Sequence, residues 1–382
     1  MAGGTRSRCP VLLLLLLGVT ARLASGVVSD GLLPNGNFEL GPAKSDLNGT
    51  RVMNQNSVPN WEILGFVEYI GSGQKQDDMI LPVPEGACAV RLGNDATIRQ
   101  NLNLIRETTY SITFCAARTC AQAERLKVSV AAESGVLPIQ TVYTSNGWDS
   151  YSYAFRARHS TAWFSIHNPG HEDDPACGPL IDSVAIKALN PPHLTKESHT
   201  AGLSQRSEHA DNMLRNGDFE EGPVIFPDTA WGVLVPPMSE DDVSPLPGWM
   251  VMSDTKVVKY VDAAHHAVPR GARAVELVAG REAALVQEVR TVPGRHYRLS
   301  LAVGDAANGC EGPMAVEAYA ARATLRTTYE SRGNGGSKRA VVDFTAIANL
   351  TRVVLQSYNH HMKPDGTLCG PVVDDVSLVG LR

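Results

Sequence analysis

Short runs along the chain alternate apolar with polar residues. They include Tyr110-Ser111-Ile112-Thr113-Phe114, Leu126-Lys127-Val128-Ser129-Val130, Trp163-Phe164-Ser165-Ile166 and Tyr297-Arg298-Leu299-Ser300-Leu301. A side-chain period of two belongs to strands with one buried face. Turn signals such as Asn146-Gly147 and Pro293-Gly294 punctuate these runs. No long stretch carries a convincing helical period. The pattern predicts an all-β chain of many short strands.

The strands fall into two copies of one unit. Leu33-Pro34-Asn35-Gly36-Asn37-Phe38-Glu39 returns as Leu214-Arg215-Asn216-Gly217-Asp218-Phe219-Glu220. Pro59-Asn60-Trp61 returns as Pro247-Gly248-Trp249, and Gln100 and Tyr110 return as Gln287 and Tyr297 at the same spacing. Cys177-Gly178-Pro179-Leu180-Ile181-Asp182 closes the first copy, and Cys369-Gly370-Pro371-Val372-Val373-Asp374 closes the second. The repeat sets the expected domains at 27–189 and 212–382. A polar, Pro-containing linker joins them over 190–211. Units of this length, built from short strands and Gly/Pro turns, predict two tandem jelly-roll β-sandwiches.

Composition and the ends of the chain add a compartment. Hydrophobic residues make up 43% of the 382 and charged residues 19%, enough to build two cores. The formal charge of −6 argues against a nucleic-acid binder that works through a basic surface. Arg6 and Arg8 precede the apolar run Val11 to Leu17 and the small residues near Gly26, the layout of a signal peptide over 1–26. That run is too short to span a bilayer, and no hydrophobic tail marks a membrane anchor at the C-terminus. Cys9 would leave with the signal, so six of the seven cysteines would remain in an oxidising compartment. Alignment of the copies pairs Cys120 with Cys177 and Cys310 with Cys369. Cys88 and Cys115 are both absent from the second copy and are expected to bond each other. The rival scheme joins Cys115 to Cys120. Asn48-Gly49-Thr50 and Asn349-Leu350-Thr351 are glycosylation sequons.

The Asn-Gly-x-Phe-Glu opening, the Pro-x-Trp, the Gln100–Tyr110 spacing and the Asp that begins each closing strand resemble galactose-binding-like jelly rolls. These include carbohydrate-binding modules attached to xylanases and glucanases. The tandem copies closed by Cys-Gly-Pro look more narrowly like the plant cell-wall "domain of unknown function 642" family, over essentially the whole mature chain. The resemblance implies a secreted, extracellular cell-wall protein of the apoplast that associates with wall polysaccharide. It also implies partnership with pectin methylesterase.

Candidate chemistry is sparse. Glu39 with Asp182, and Glu220 with Asp374, join the first and last strands of each copy. Such carboxylates could hold a structural calcium, which takes 6–8 oxygen ligands; no other cofactor is called for. Trp61 and Trp249 recur at matched positions and are expected in the core. Trp148, Tyr151, Tyr153 and Trp231 have no such counterparts and are candidate sugar contacts. Asn168 and Asn359 lie in the polar loops before each closing cysteine and are candidate ligand-facing groups. No nucleophile elbow, zinc-protease motif or phosphate loop is present. The expectation is therefore a non-catalytic binder of wall polysaccharide of the cellulose, hemicellulose or pectin class. The alternatives are a protein-interaction module that docks a wall enzyme, and a glycoside hydrolase.

Overall fold

The computed structural model describes residues 6–8, 30–189 and 211–382, apart from 77–78, 82, 121–123, 131–132, 140–146, 172, 228–229, 239–241, 254–256, 279 and 281–282. The expected signal segment and linker lie outside the described residues except at 6–8 and 211. Two compact units divide the chain, Met1–Ala188 and Leu189–Arg382.

The principal strands of the first unit are β1 (Glu62–Leu64), β2 (Val67–Gly71), β3 (Cys88–Leu92), β4 (Thr97–Asn103), β5 (Thr109–Ala117), β6 (Glu124–Val130), β7 (Glu133–Ile139), β8 (Asp149–Arg156), β9 (Thr161–His167) and β10 (Leu180–Leu189). They form one sheet in the order β8-β5-β10-β3-β2 and another in the order β7-β6-β9-β4-β1. From β3 to β10 the chain mostly alternates between the two sheets, the winding of a jelly roll.

In the second unit the strands are β11 (Val233–Val235), β12 (Met250–Met252), β13 (Val258–Asp262), β14 (Arg273–Glu276), β15 (Ala284–Arg290), β16 (His296–Gly304), β17 (Glu311–Ala320), β18 (Ala323–Arg332), β19 (Ser337–Thr345), β20 (Leu350–Ser357) and β21 (Val372–Gly380). Their orders are β19-β16-β21-β14-β13-β11 and β18-β17-β20-β15-β12. Apart from β11, each strand answers one in the first unit, in the same sheet and position. The chain is all-β, built as two antiparallel sandwiches.

The run 126–130 on β6 buries Leu126, Val128 and Val130 and exposes Lys127. The run 110–114 on β5 is instead buried on both faces, Ser111 and Thr113 included, because its sheet is covered on both sides there. On β4, Ile98, Gln100 and Leu102 are buried while Asn101 and Asn103 are exposed. On β20, Thr351, Val353 and Leu355 are buried while Leu350 and Arg352 are exposed.

The repeated landmarks hold backbone groups that no ladder satisfies. Trp61 Nε1 donates to the Asn35 carbonyl at 2.9 Å, and Trp249 Nε1 to the Asn216 carbonyl at 2.9 Å. The Asn35 amide group brackets the backbone of Leu40, as Asn216 brackets Glu221. Gln100 donates to the carbonyls of Pro34 and Asn60, and Gln287 to that of Arg215. Tyr69 and Tyr260 donate to the carbonyls of Phe38 and Phe219, whose own φ of 53° and 52° lie in the sparse left-handed region. Buried backbone groups left unpaired are costly, which accounts for polar residues inside both cores.

Cys120–Cys177 and Cys310–Cys369 are bonded, with Cα–Cα separations of 5.8 and 6.0 Å. The expected Cys88–Cys115 bridge is corrected by the structure. Cys115 is a free, buried thiol, and Cys88 is disulfide-bonded elsewhere. The sheet order supplies the reason: β10 lies between β3 and β5. Two strand spacings separate the pair by roughly 9–10 Å, whereas a disulfide needs Cα atoms within roughly 7 Å.

The closing Cys-Gly-Pro also has a steric reason. A Cβ on Gly178 would meet the Leu92 carbonyl oxygen at 1.8 Å, and one on Gly370 the Leu277 carbonyl oxygen at 2.1 Å. Gly370→Ala is therefore expected to destabilise the second domain by about 1–3 kcal/mol, read as a lower denaturation midpoint with an unchanged slope.

Candidate functional site

The paired carboxylates sit where the opening turn meets the closing strand. Glu39 Oε1 accepts from the amides of Ala87 and Cys88 at 2.7 and 3.1 Å. Glu220 Oε1 accepts from Ala272 and Arg273 at 2.6 and 3.2 Å. Asp182 accepts from the Ser183 amide at 2.7 Å. Asp374 accepts from Asp375 at 2.6 Å and from the Arg270 amide at 2.7 Å. Burial pushes the Asp182 carboxyl well above the usual carboxylate range, and nearby Glu85 and Glu39 add to the rise. Burial likewise pushes Asp374 up to about 8.

These groups serve the backbone first. The second domain places Arg270 where the first has Glu85, and its guanidinium pairs with Asp375 at 3.2 Å. Among the described residues, the one group of three His, Cys or carboxylate ligand atoms within 4.8 Å is Cys120, Glu124 and Cys177. Two of those atoms are in a disulfide. Neither Glu39 with Asp182 nor Glu220 with Asp374 belongs to that group.

The proposed sugar contacts divide. Trp148 is 1% exposed and Tyr151 2% exposed, so neither can stack on a polymer. Tyr151 packs against Phe114, with ring centroids 6.1 Å apart. On β8 the alternation turns Tyr151, Tyr153 and Phe155 to one side, and the Phe155 ring stacks on Tyr110 in the core. Tyr153 and Trp231 are half-buried. Asn168 is buried and ties its loop to the end of β3, donating to the carbonyls of Leu92 and Gly93 at 2.9 Å each. Asn359 donates to the Pro313 carbonyl at 3.0 Å. Both asparagines shape loops. Asn48 and Asn349, the sequon residues, are exposed.

A different aromatic faces solvent. Trp163 is 45% exposed on β9, while Trp61, Trp148 and Trp249 are buried. Strand register places it in an open polar face. Trp163 lies opposite Asn101, Ser165 opposite both Arg99 and Ser129, and His167 opposite both Thr97 and Lys127. Alternation turns all of these outward. The Arg99 guanidinium lies over the Trp163 ring at 4.7 Å from its centroid. Glu62 on β1 holds that guanidinium with contacts of 2.9 and 2.7 Å. Ser129 and Ser165 share a hydrogen bond of 2.6 Å, and Thr97 bonds His167 Nδ1 at 2.9 Å. The ring and its neighbours are therefore fixed in place, which lowers the entropy lost on meeting a ligand.

The phase of the β9 sequence could have revealed this residue. Phe164 and Ile166 point inward, so Trp163 one position earlier must point outward.

The matching face of the second domain differs at nearly every position. Arg352 stands at the place of Trp163, Gln356 at that of His167 and Glu317 at that of Lys127. Tyr319 donates to Glu317 Oε2 at 2.5 Å, and Arg326 lies over the Tyr358 ring at 3.2 Å. One backbone thus presents two unlike surfaces.

A family model described as "Protein of unknown function (DUF642)" matches residues 31–187 and 212–379. The chain is 55% identical to the Arabidopsis thaliana protein named DUF642 L-GALACTONO-1,4-LACTONE-RESPONSIVE GENE 2, covering 96% of this chain and 97% of that one. It is 46% identical to Protein TEEBE of the same plant, covering 91% and 90%. Among solved structures, it is similar to the CBM22-1-CBM22-2 tandem domain of Paenibacillus barcinonensis Xyn10C, with 12% identity and a TM-score of 0.29 over 94% of this chain and 99% of that one. It is similar also to TmCBM61 in complex with beta-1,4-galactotriose, with 14% identity and a TM-score of 0.27 over 42% and 99%. Matches to one family model over residues 31–187 and 212–379, with relatives 55% and 46% identical along more than nine-tenths of the chain, place the protein in the DUF642 family.

Proposed function

We propose that this protein is a secreted, non-catalytic binder of plant cell-wall polysaccharide. The observation that carries the reading is Trp163, a large aromatic left open on a sheet face whose other outward groups, apart from Leu64, are polar. Burial is the default for tryptophan, so an exposed ring braced by Arg99 and Glu62 signals a surface built to meet something. An aromatic plane offers the apolar C–H face of a sugar ring a stacking partner. Asn101, Ser165 and His167 offer hydrogen bonds to its hydroxyls.

Other features support the setting. Residues 1–26 read as a secretory signal, and Cys120–Cys177 and Cys310–Cys369 suit an oxidising space. Exposed Asn48 and Asn349 suit glycosylation outside the cell. Asp182 and Asp374 are buried and spent on backbone amides, which disfavours a hydrolase that would need them open to substrate.

Affinity electrophoresis in gels containing xyloglucan, xylan or pectins, with a parallel cellulose pull-down, tests the proposal. Wild-type protein should be retarded or captured by at least one polymer. Trp163→Ala should lose about tenfold or more of that affinity while keeping the wild-type melting temperature, because the side chain packs on the surface. Mobility unaffected by every polymer would reject the reading in favour of a protein-docking module.

A further inference from the structure

The charges around Trp163 are uneven. Arg99 is neutralised by Glu62, and His167 faces Asp95 at 3.7 Å. Lys127 lies opposite His167 on β6, and Arg125 is the next outward position along the same strand. Both are exposed, and among the described residues neither is in an ion pair. The outward side of β6 therefore adds two cations with no ion-pair partner among the described residues to a protein whose overall charge is −6.

The spacing is that of an extended ligand. Trp163 and His167 are four residues apart on one strand, a separation of roughly 13 Å at about 3.3 Å per residue. A glycan chain stacked on Trp163 and running along β9 would pass Ser165 and reach His167, with Lys127 and Arg125 along its flank. A polymer with one carboxylate on each ring would present an anion to those cations. A neutral polymer would leave both cations without a partner.

We propose that this face selects glycan chains built from uronic acid residues, with Trp163 as the stacking platform and Lys127 and Arg125 pairing with the carboxylates. The inference rests on the polysaccharide-binding reading above and narrows its ligand class. The second domain is an internal contrast. Lys127 is answered there by Glu317, Arg125 by Ala315 and Trp163 by Arg352, so the selecting set is confined to the first domain. Charge complementarity of this kind sets specificity more than raw affinity, and salt should weaken it.

The test compares polygalacturonate with its fully methyl-esterified counterpart, by calorimetry on the full-length protein with chelator present so that divalent cations cannot bridge. The wild type should bind polygalacturonate at least tenfold more tightly than the ester at low salt, with the gap closing at high salt. Lys127→Ala combined with Arg125→Ala should erase the preference and leave binding of the ester within twofold. Trp163→Ala should weaken both. A double variant that keeps the preference would overturn uronate selection, even where loss of binding in Trp163→Ala upholds the polysaccharide reading. Equal wild-type affinity for acid and ester would overturn it as well. If Trp163→Ala changed neither affinity, the face itself would be excluded as the site.

Discussion

Trp249→Ala should lower the stability of the second domain by about 3–5 kcal/mol, the range for deleting a fully buried large aromatic. Three losses combine there. The ring is buried and packs against Phe219 at a centroid distance of 5.4 Å. Its Nε1 is the hydrogen-bond partner of the Asn216 carbonyl in the opening turn. That turn also holds Phe219 at a left-handed φ, so the support lost falls on a strained segment. Trp249→Phe separates the terms: most of the packing stays and the hydrogen bond goes, for a cost of about 1–2 kcal/mol. Chemical denaturation followed by tryptophan fluorescence and circular dichroism would measure both. Equal, small losses in the two variants would show that the turn does not depend on this side chain.

The second large effect is a dependence on pH in the first domain. Burial pushes the Glu124 carboxyl from its ordinary 4.5 up to about 7, against the opposing pull of the Cys120 and Thr119 amides that bond it. A carboxyl whose folded value is raised binds its proton more tightly in the native state. The associated stability is fully present below about 4.5 and is lost as pH rises through about 7. At about 1.4 kcal/mol per unit, the loss is on the order of 3 kcal/mol. For a domain of this size that lowers the melting temperature by about 5–10 °C. Glu124→Gln keeps an acceptor for both amides and cannot ionise, so its melting temperature should fall less than that of the wild type across the same interval. A wild type and variant with parallel pH profiles would remove Glu124 as the cause.

The architecture was legible in the sequence because repetition and a period of two are both strong signals. Residues such as Ile98, Leu102, Val353 and Leu355 fall on the inner faces that the alternation assigns. The failures came from information that alternation does not carry. A run such as Tyr151-Ser152-Tyr153 shows that two tyrosines share a side, but only neighbouring strands decide that this side is the core. Trp163 lay inside a recognised strand, yet its outward phase was readable only by taking Phe164 and Ile166 as the buried pair. The Cys88–Cys115 expectation rested on joint absence from the second copy. Sheet order, which inserts β10 between the two strands, is invisible to that reasoning. The polar residues tied to loops, Asn168 above all, look like ligand contacts in a string of letters because backbone carbonyls are missing from it.

The strand-for-strand correspondence of the two sandwiches has an engineering consequence. Inward letters are constrained by a shared interior, whereas the outward letters of β4, β6 and β9 have diverged freely from those of β15, β17 and β20. Recognition is thus written on a layer that can be exchanged without rewriting the scaffold. Grafting the outward residues of one half onto the other should transplant its ligand preference while leaving the recipient's unfolding profile recognisable.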